Sequence, residues 1–584
     1  MRLRSGITVL LCCAVCSSPG PACRKRTGDG NKWEKRWVYI STNLYIDENV
    51  PKLDSLFQRA RHAGYNGILF DDFKTFTWWE LKEAHRWLKN ARAVRRAARE
   101  SDLEFIVSVF PFGRSGSLLW HDPNLASGMP VRDAPLRERN GLLVPEQTAI
   151  LENGSFEKHR GNRLIAYSFQ DGPGQTSFID TQHVREGGAS LRIEAGGDAE
   201  SGLGRFYQEI AVRPWQQYRI RVWMRARHLT ADKVQIVVSA GDRTLQWQDL
   251  VTGEGDGVRY LRRVEDLTTD WIEQRVTFNS LDNSSVLIYV GVWGGRDGTV
   301  WWDDLRIDAV PTLNLLRRDS LPLRITGIDG TIYREGDDFE YIADSGLGQT
   351  RWPGSYDTRH DPPPIRLTPE SRIVPGERVL LSCYHAVIVH TGQVACSMDE
   401  PAVFVLCGEQ VRRLDEALDP DGYLMSHNEI RCAGWEPRQM TRYRTSGELF
   451  AFNIAQCRSV AEESTGGVAL FIWSDMYDPH HNARNGYYLV NNTVEGSWEG
   501  LASDIAILNW SGRRESLEFF AGRGHRQILA AYYDGDTREN YRMWIRAAED
   551  IPGIIGTMYT TWSSDFDDLE EFAELWWGVS HNMQ

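Results

Sequence analysis

The residues best equipped for chemistry lie together in residues 423–435, Tyr-Leu-Met-Ser-His-Asn-Glu-Ile-Arg-Cys-Ala-Gly-Trp. The stretch begins apolar and strand-like. It then delivers His427, Asn428 and Glu429 in succession, with Trp435 after them as a candidate aromatic wall. A carboxyl group can give or take a proton, a neighbouring amide can hold a polar substituent, and an indole face can carry the apolar side of a sugar ring. In barrel enzymes such groups sit at the C-terminal ends of the strands. The plainer alternative is a polar strand end with its hydrogen bonds satisfied. Seven other segments that read as strands, several of them also ending in polar or aromatic residues, favour the chemical interpretation. Their ends supply Asp71 and Asp72, Trp473 and Asp475, Trp510, Tyr532 and Asp534, and Trp562. Rings from several strands together with a few carboxylates are what a sugar subsite needs: the rings pack on the sugar and an acid protonates the departing oxygen. Asp71 and Asp72 read as substrate hydrogen-bonders or as caps on the following loop. Asp478, His480 and His481 are close enough in sequence for a metal site, although adjacent histidines in a loop are more often solvated or in contact with substrate.

The elements that must position these groups alternate strand and helix. Residues 36–46 form a strand, 50–63 carry apolar residues at helical spacing and 66–70 are a short buried strand. Residues 79–101 are a long helix pattern and 103–110 a third strand. The rhythm stops after Pro111-Phe112-Gly113, where residues 114–147 read as loop. It resumes with a helix at 401–418 and further strands at 423–429, 468–476, 504–510, 527–534 and 553–562, with helices at 447–464, 514–522, 538–548 and 567–577. Three strands before the interruption and five after it predict an α/β fold, a (β/α)8 TIM barrel interrupted after its third strand.

The interruption reads as all-β. In residues 218–226, Tyr218, Ile220, Val222, Met224 and Ala226 face one way, and Arg219, Arg221, Trp223 and Arg225 the other. Several such short strands between residues 148 and 310 predict a jelly-roll-like β-sandwich. Residues 311–400 read as a small β-rich insertion or linker. The expected organisation is therefore barrel residues 34–147, sandwich 148–310, insertion 311–400 and barrel 401–584.

The sandwich segment resembles the family 4/9 type of carbohydrate-binding module. The resemblance rests on Asn153-Gly154-Ser155-Phe156-Glu157 at its start, residues 188–193, 207–210 and 218–226, and Trp302-Asp303-Asp304-Leu305-Arg306-Ile307 at its end. It implies a structural calcium held by Glu157 and Asp303, a hard cation on oxygen ligands, with Trp215, Trp247, Trp271 and Trp293 as candidate sugar platforms. The barrel resembles the glycoside hydrolase family 20 β-N-acetylhexosaminidases, through Asn428-Glu429 at the fourth strand end, Trp473-Ser474-Asp475, Trp510, Tyr532-Tyr533-Asp534 and Trp562 in order. That resemblance implies Glu429 as general acid/base, Asn428 orienting a 2-acetamido group that attacks the anomeric carbon, and Tyr532 binding its oxygen. It implies no catalytic cofactor. The chain departs from the family at Ser426-His427, where the family has Gly-Gly, and at Ser563-Ser564, where it has Glu. Its first strand also lacks the family's sugar-clamping Arg. The rivals are a glycan-binding protein without activity, and a hydrolase that pairs Glu429 with Asp475 or Asp534.

Composition narrows the partners. With 41% hydrophobic residues the chain can bury large cores, and its net charge of -14 argues against a nucleic-acid partner, which needs a basic face. The 22 Trp and 21 Tyr suit an oligo- or polysaccharide substrate. Two arginines within residues 1–4 and the apolar run 7–15 predict a signal peptide over residues 1–22, and Cys23 is a candidate lipidation site. The expected location is secreted, periplasmic or cell-surface, with no transmembrane segment in the mature chain. Cys383, Cys396, Cys407, Cys432 and Cys457 show no metal-binding spacing and leave room for one or two disulfides.

Overall fold

The structure, a computed structural model, describes residues 33–196, 202–249, 251–252, 259–260, 264–350, 354–390 and 392–578. The expected signal peptide and Cys23 lie outside them. Eight parallel strands close into a barrel: β1 (Lys35–Ser41), β2 (Gly67–Asp71), β3 (Glu104–Val109), β4 (Gly422–Met425), β5 (Ala469–Trp473), β6 (Ala506–Asn509), β7 (Gln527–Tyr532) and β8 (Ile554–Thr560). Helices Asn49–His62, Ala84–Glu100, Pro401–Leu418, Ser446–Thr465, Arg514–Gly522, Thr537–Ala547 and Leu569–Trp577 connect or follow them. Between β5 and β6 the described residues carry no α-helix, only the 3-10 turns Asp475–Tyr477 and Ser497–Gly500 and the two-residue strand Leu489–Val490, which pairs with Cys432–Ala433, within the segment that reads as a long loop.

Strand alternation sorts the barrel residues into two layers. Trp37, Leu69, Ile106, Leu424, Phe471, Leu508, Ile528 and Met558, one from each strand, pack together in the barrel interior. Their sequence neighbours Val38, Ile68, Phe105, Tyr423, Ile472, Ile507, Leu529 and Tyr559 join the core outside the barrel, with Phe57, Trp87 and Leu414 from the helices. This parity decides which residue of each strand end faces the barrel mouth.

The inserted segment forms antiparallel, sandwich-like sheets. Strands Gln217–Ala240 and Ser285–Ala309 pair along almost their whole length, flanked by Val264–Asn279 and Arg243–Asp249 on one and by Ser190–Glu194 and Gly204–Ala211 on the other. Tyr218, Ile220, Val222, Met224 and Ala226 are all buried, on the face that the alternation assigns to the core. That core does not stop at the sandwich: Cys432, Trp435 and Leu489, from the loops after β4 and β5, belong to it.

A second antiparallel sheet corrects the interpretation of residues 114–147 as loop. Gly128–Arg139 is a 12-residue strand that pairs with Arg378–Ala386, with a bulge between Leu381 and Cys383. Residues 128–145 therefore belong with the 311–400 segment rather than with the barrel. The five described cysteines are all free and buried, so the room left for one or two disulfides is not used. Among the described residues no helix is long and apolar enough to cross a membrane.

Candidate active site

The C-terminal ends of the strands open into a cleft of about 680 Å³. Alternation carries Ser41 after Tyr39 on β1, Asp71 after Leu69 on β2 and Trp473 after Phe471 on β5 to its wall. On β4 the same parity sends Ser426 inward, where its hydroxyl lies 2.7 Å from that of Ser108, and His427 outward. His427 is fully buried behind the wall. Its Nε2–H donates to Asn453 Oδ1 at 2.9 Å, its ring packs on Phe112, and burial pushes its pKa down to about 4. It is thus a neutral core histidine and not a substrate contact.

Asn428 and Glu429 both line the cleft. Glu429 adopts a left-handed backbone, φ 53°, a conformation that costs a non-glycine residue ~1–3 kcal/mol and that collects at functional sites. Three contacts hold it there. Its N–H donates to Asp475 Oδ2 at 2.8 Å, its carbonyl accepts from Gln393 Nε2 at 2.7 Å, and its Oε1 accepts from Arg431 Nη2 at 2.6 Å. Gly113 packs beneath: a Cβ there would come within 2.2 Å of the Asn428 carbonyl oxygen. The Asn428 side-chain amide makes no protein hydrogen bond among the described residues and is available to a ligand.

Asp475 is enclosed below Glu429. Its Oδ2 also accepts from Asn482 Nδ2 at 3.0 Å and its Oδ1 from Trp510 Nε1 at 3.2 Å. Burial, reinforced by the charge of Glu429, pushes its pKa up to about 7. It positions Glu429 and Trp510 and has no exposed surface of its own. Asp71 does reach the cleft, accepts from the Tyr39 hydroxyl at 3.2 Å, and is held above the ordinary carboxylate range by burial. Asp72 is a cap: it accepts from Leu44 N, Lys74 N and Trp87 Nε1. Asp534 organises the last loop, accepting from Thr561 Oγ1, Ser563 Oγ, Trp562 N and Ser563 N.

Five rings form the aromatic wall. Trp473 lies 5.9 Å from Trp562, Trp562 5.1 Å from Tyr39, and Tyr533 stacks on Trp510 at 5.8 Å with an 8° tilt. Two expected members are elsewhere. Tyr532 is buried against Tyr559, ring centroids 4.1 Å apart, because Tyr532, Tyr533 and Asp534 are all left-handed. This run breaks the period of two at the end of β7, so Tyr533 takes the cleft position. Trp435 is also buried: its Nε1–H donates to Leu489 O and its ring meets Trp215, sealing the sandwich to the barrel.

Strand parity could have pointed to Tyr39, Ser41 and Ser426. The sandwich residues Lys233 and Asp249, together with His390, line the same cleft through tertiary packing alone. Arg431 could have been suspected from its place two residues after Glu429.

Glu157 and Asp303, the pair expected to hold calcium, both accept hydrogen bonds from backbone N–H groups. Asp303 accepts from Arg185 N and Glu186 N on one oxygen and from Asp304 N on the other, and Glu157 Oε1 accepts from Gly188 N and Ala189 N. Among the described residues there is no group of three or more His, Cys, Asp or Glu side chains able to hold a metal, the 478–481 segment included.

No family model and no curated protein matches the chain. Solved structures similar to it include carbohydrate-binding modules, an adhesin domain and a rhamnosidase. The rhamnosidase from Novosphingobium sp. PP1Y is 9% identical, with a TM-score of 0.31 over 91% of this chain and 55% of that one. A family 61 carbohydrate-binding module in complex with β-1,4-galactotriose is 17% identical, with a TM-score of 0.20, and covers 28% of this chain and 99% of its own. The CBM22-1 xylan-binding domain from Paenibacillus barcinonensis Xyn10C is 14% identical, with a TM-score of 0.20 over 27% and 92%.

Proposed function

We propose that this protein is an exported glycoside hydrolase acting on an N-acetylhexosamine-containing glycan. In this interpretation the closed parallel barrel is a TIM-type (β/α)8 barrel allied to family 20, and the inserted sandwich is a carbohydrate-binding module in origin. The observation that carries the proposal is the delivery of Asn428 and Glu429, side by side, into a cleft walled by five aromatic rings at the C-terminal strand ends. Glu429 protonates the glycosidic oxygen as the bond to the anomeric carbon breaks. The Asn428 amide holds the 2-acetamido group whose oxygen attacks that carbon from the opposite side, and water later opens the resulting ring with Glu429 as base. Tyr533, not Tyr532, is the tyrosine available to the acetamido oxygen.

One contact favours a second mechanism. The Arg431 guanidinium donates to Glu429 Oε1 at 2.6 Å, an arrangement that suits a nucleophile or base, and Asp71, which burial holds above the ordinary carboxylate range, then serves as the acid. A thiazoline mimic of the acetamido intermediate separates the two. Competitive inhibition of aryl N-acetylhexosaminide hydrolysis supports the substrate-assisted mechanism. Hydrolysis that the thiazoline leaves untouched, but that Asp71→Asn abolishes, moves the assignment to the carboxylate pair.

A further inference from the structure

The cleft has a wall that the barrel does not supply. Lys233 and Asp249, from two paired strands of the sandwich, line it together with Asn428 and Glu429. The sandwich is also held rigidly against the site. Trp247, two residues before Asp249, lies under His390 at 5.0 Å and beside Tyr488 at 5.0 Å, with the Arg431 guanidinium 5.8 Å from its ring centre. That guanidinium is the one that holds Glu429. Gln246 Nε2 donates to Ile388 O from the same strand, and Arg243 Nη2 donates to Tyr488 O. Trp215 against Trp435 closes a second contact, and the two parts share one buried core.

A module that only tethers the enzyme to its polymer needs neither a shared core nor residues in the cleft. A volume of about 680 Å³ falls within the ~300–1,000 Å³ of sites that enclose drug-sized ligands, so it has room beyond the sugar gripped by the rings. We propose that the sandwich forms a subsite of the cleft, in which Lys233 and Asp249 bind the hydroxyls of sugar units beyond the one at Glu429, making the protein selective for oligosaccharides over monosaccharides. The inference rests on the glycan reading of the cleft but not on catalysis.

Its test is binding, measured on the full chain by calorimetry with chitotetraose, cellotetraose and a galactotetraose against the corresponding monosaccharides. The intact protein is expected to bind at least one tetrasaccharide tenfold or more tighter than its monosaccharide. Lys233→Ala and Asp249→Asn are each expected to reduce that ratio at least fivefold, and Lys233→Glu further. Lys233 is exposed, so its replacement leaves the fold intact. If no tetrasaccharide is preferred, or the preference survives all three substitutions, the inference is overturned. A protein that shows the preference but hydrolyses nothing refutes the proposed enzyme activity and leaves the subsite standing.

Discussion

Asp475 gives the sharpest physical prediction, because its charge and its hydrogen bonds pull in opposite directions. Burial lifts its pKa from the ordinary 3.8 to about 7. Between those values the folded chain holds a proton that the unfolded chain releases, so stability falls as pH rises. At 1.36 kcal/mol per pH unit, the ionised carboxylate costs the fold about 4 kcal/mol above pH 7 and nothing below pH 4. Replacing it with Asn removes that cost. The substitution also turns an NH2 toward one of the three donors that Asp475 satisfies, Glu429 N, Asn482 Nδ2 and Trp510 Nε1, a pH-independent loss of ~1–3 kcal/mol. Asp475→Asn should therefore be less stable than wild type at pH 4 and more stable at pH 8. The difference should climb by about 1.4 kcal/mol per pH unit in between. His427 and His385, both pushed down to about 4 by burial, tilt both proteins in the opposite sense and cancel in the difference. Urea unfolding of the two proteins at half-unit intervals from pH 4 to 8 measures it. A flat difference would refute the assignment of Asp475 as a strained, buried acid.

Other residues offer shorter tests. His427→Leu should remove one histidine's share of the acid-side loss of stability, up to ~3 kcal/mol as pH falls from 6.5, and leave the share of His385 in place; urea unfolding at pH 4.5 and 7 checks this. Gly113→Ala drives a methyl into the Asn428 carbonyl, and should lower the melting temperature and weaken glycan binding together, with Gly113→Ser no better. Tyr533→Ala should weaken oligosaccharide binding about tenfold, ~1.4 kcal/mol, whereas Tyr532→Phe should leave it within twofold in the same calorimetric titration. Equal effects at the two tyrosines would contradict the left-handed turn that exchanges their roles.

Much of the barrel was legible because its strands are short apolar runs between helices with clear periodicity. The helix Pro401–Leu418 coincides with its predicted span, and each barrel strand appears where the β/α rhythm puts it. The strand Gly128–Arg139 was not legible. Pro130, Arg132, Asp133 and Pro135 spoil its alternation, and its longer partner lies more than 240 residues away, so only the Asn140-Gly141 turn to its second partner, Leu142–Pro145, gave a local signal. At the site, Asn428, Glu429, Trp473, Trp510 and Trp562 could be read as strand-end residues. Tyr532 and His427 could not be placed without their backbone: one opens a left-handed run, the other falls on the outer parity of β4. Trp435 looked like a wall because it is aromatic and close to Glu429, but three-dimensional packing uses it as a seal against Trp215. Lys233 and Asp249 carry no local signal at all, since only the docking of the sandwich brings them to the cleft.

The central claim is that Glu429 does chemistry on a glycosidic bond. The most direct measurement is hydrolysis of aryl β-N-acetylglucosaminide, β-N-acetylgalactosaminide and β-glucoside substrates by wild type and Glu429→Gln. Turnover confined to the acetamido sugars, reduced roughly 10²–10⁴-fold in the variant with its fold intact, is the expected result. Turnover that survives Glu429→Gln would contradict the account.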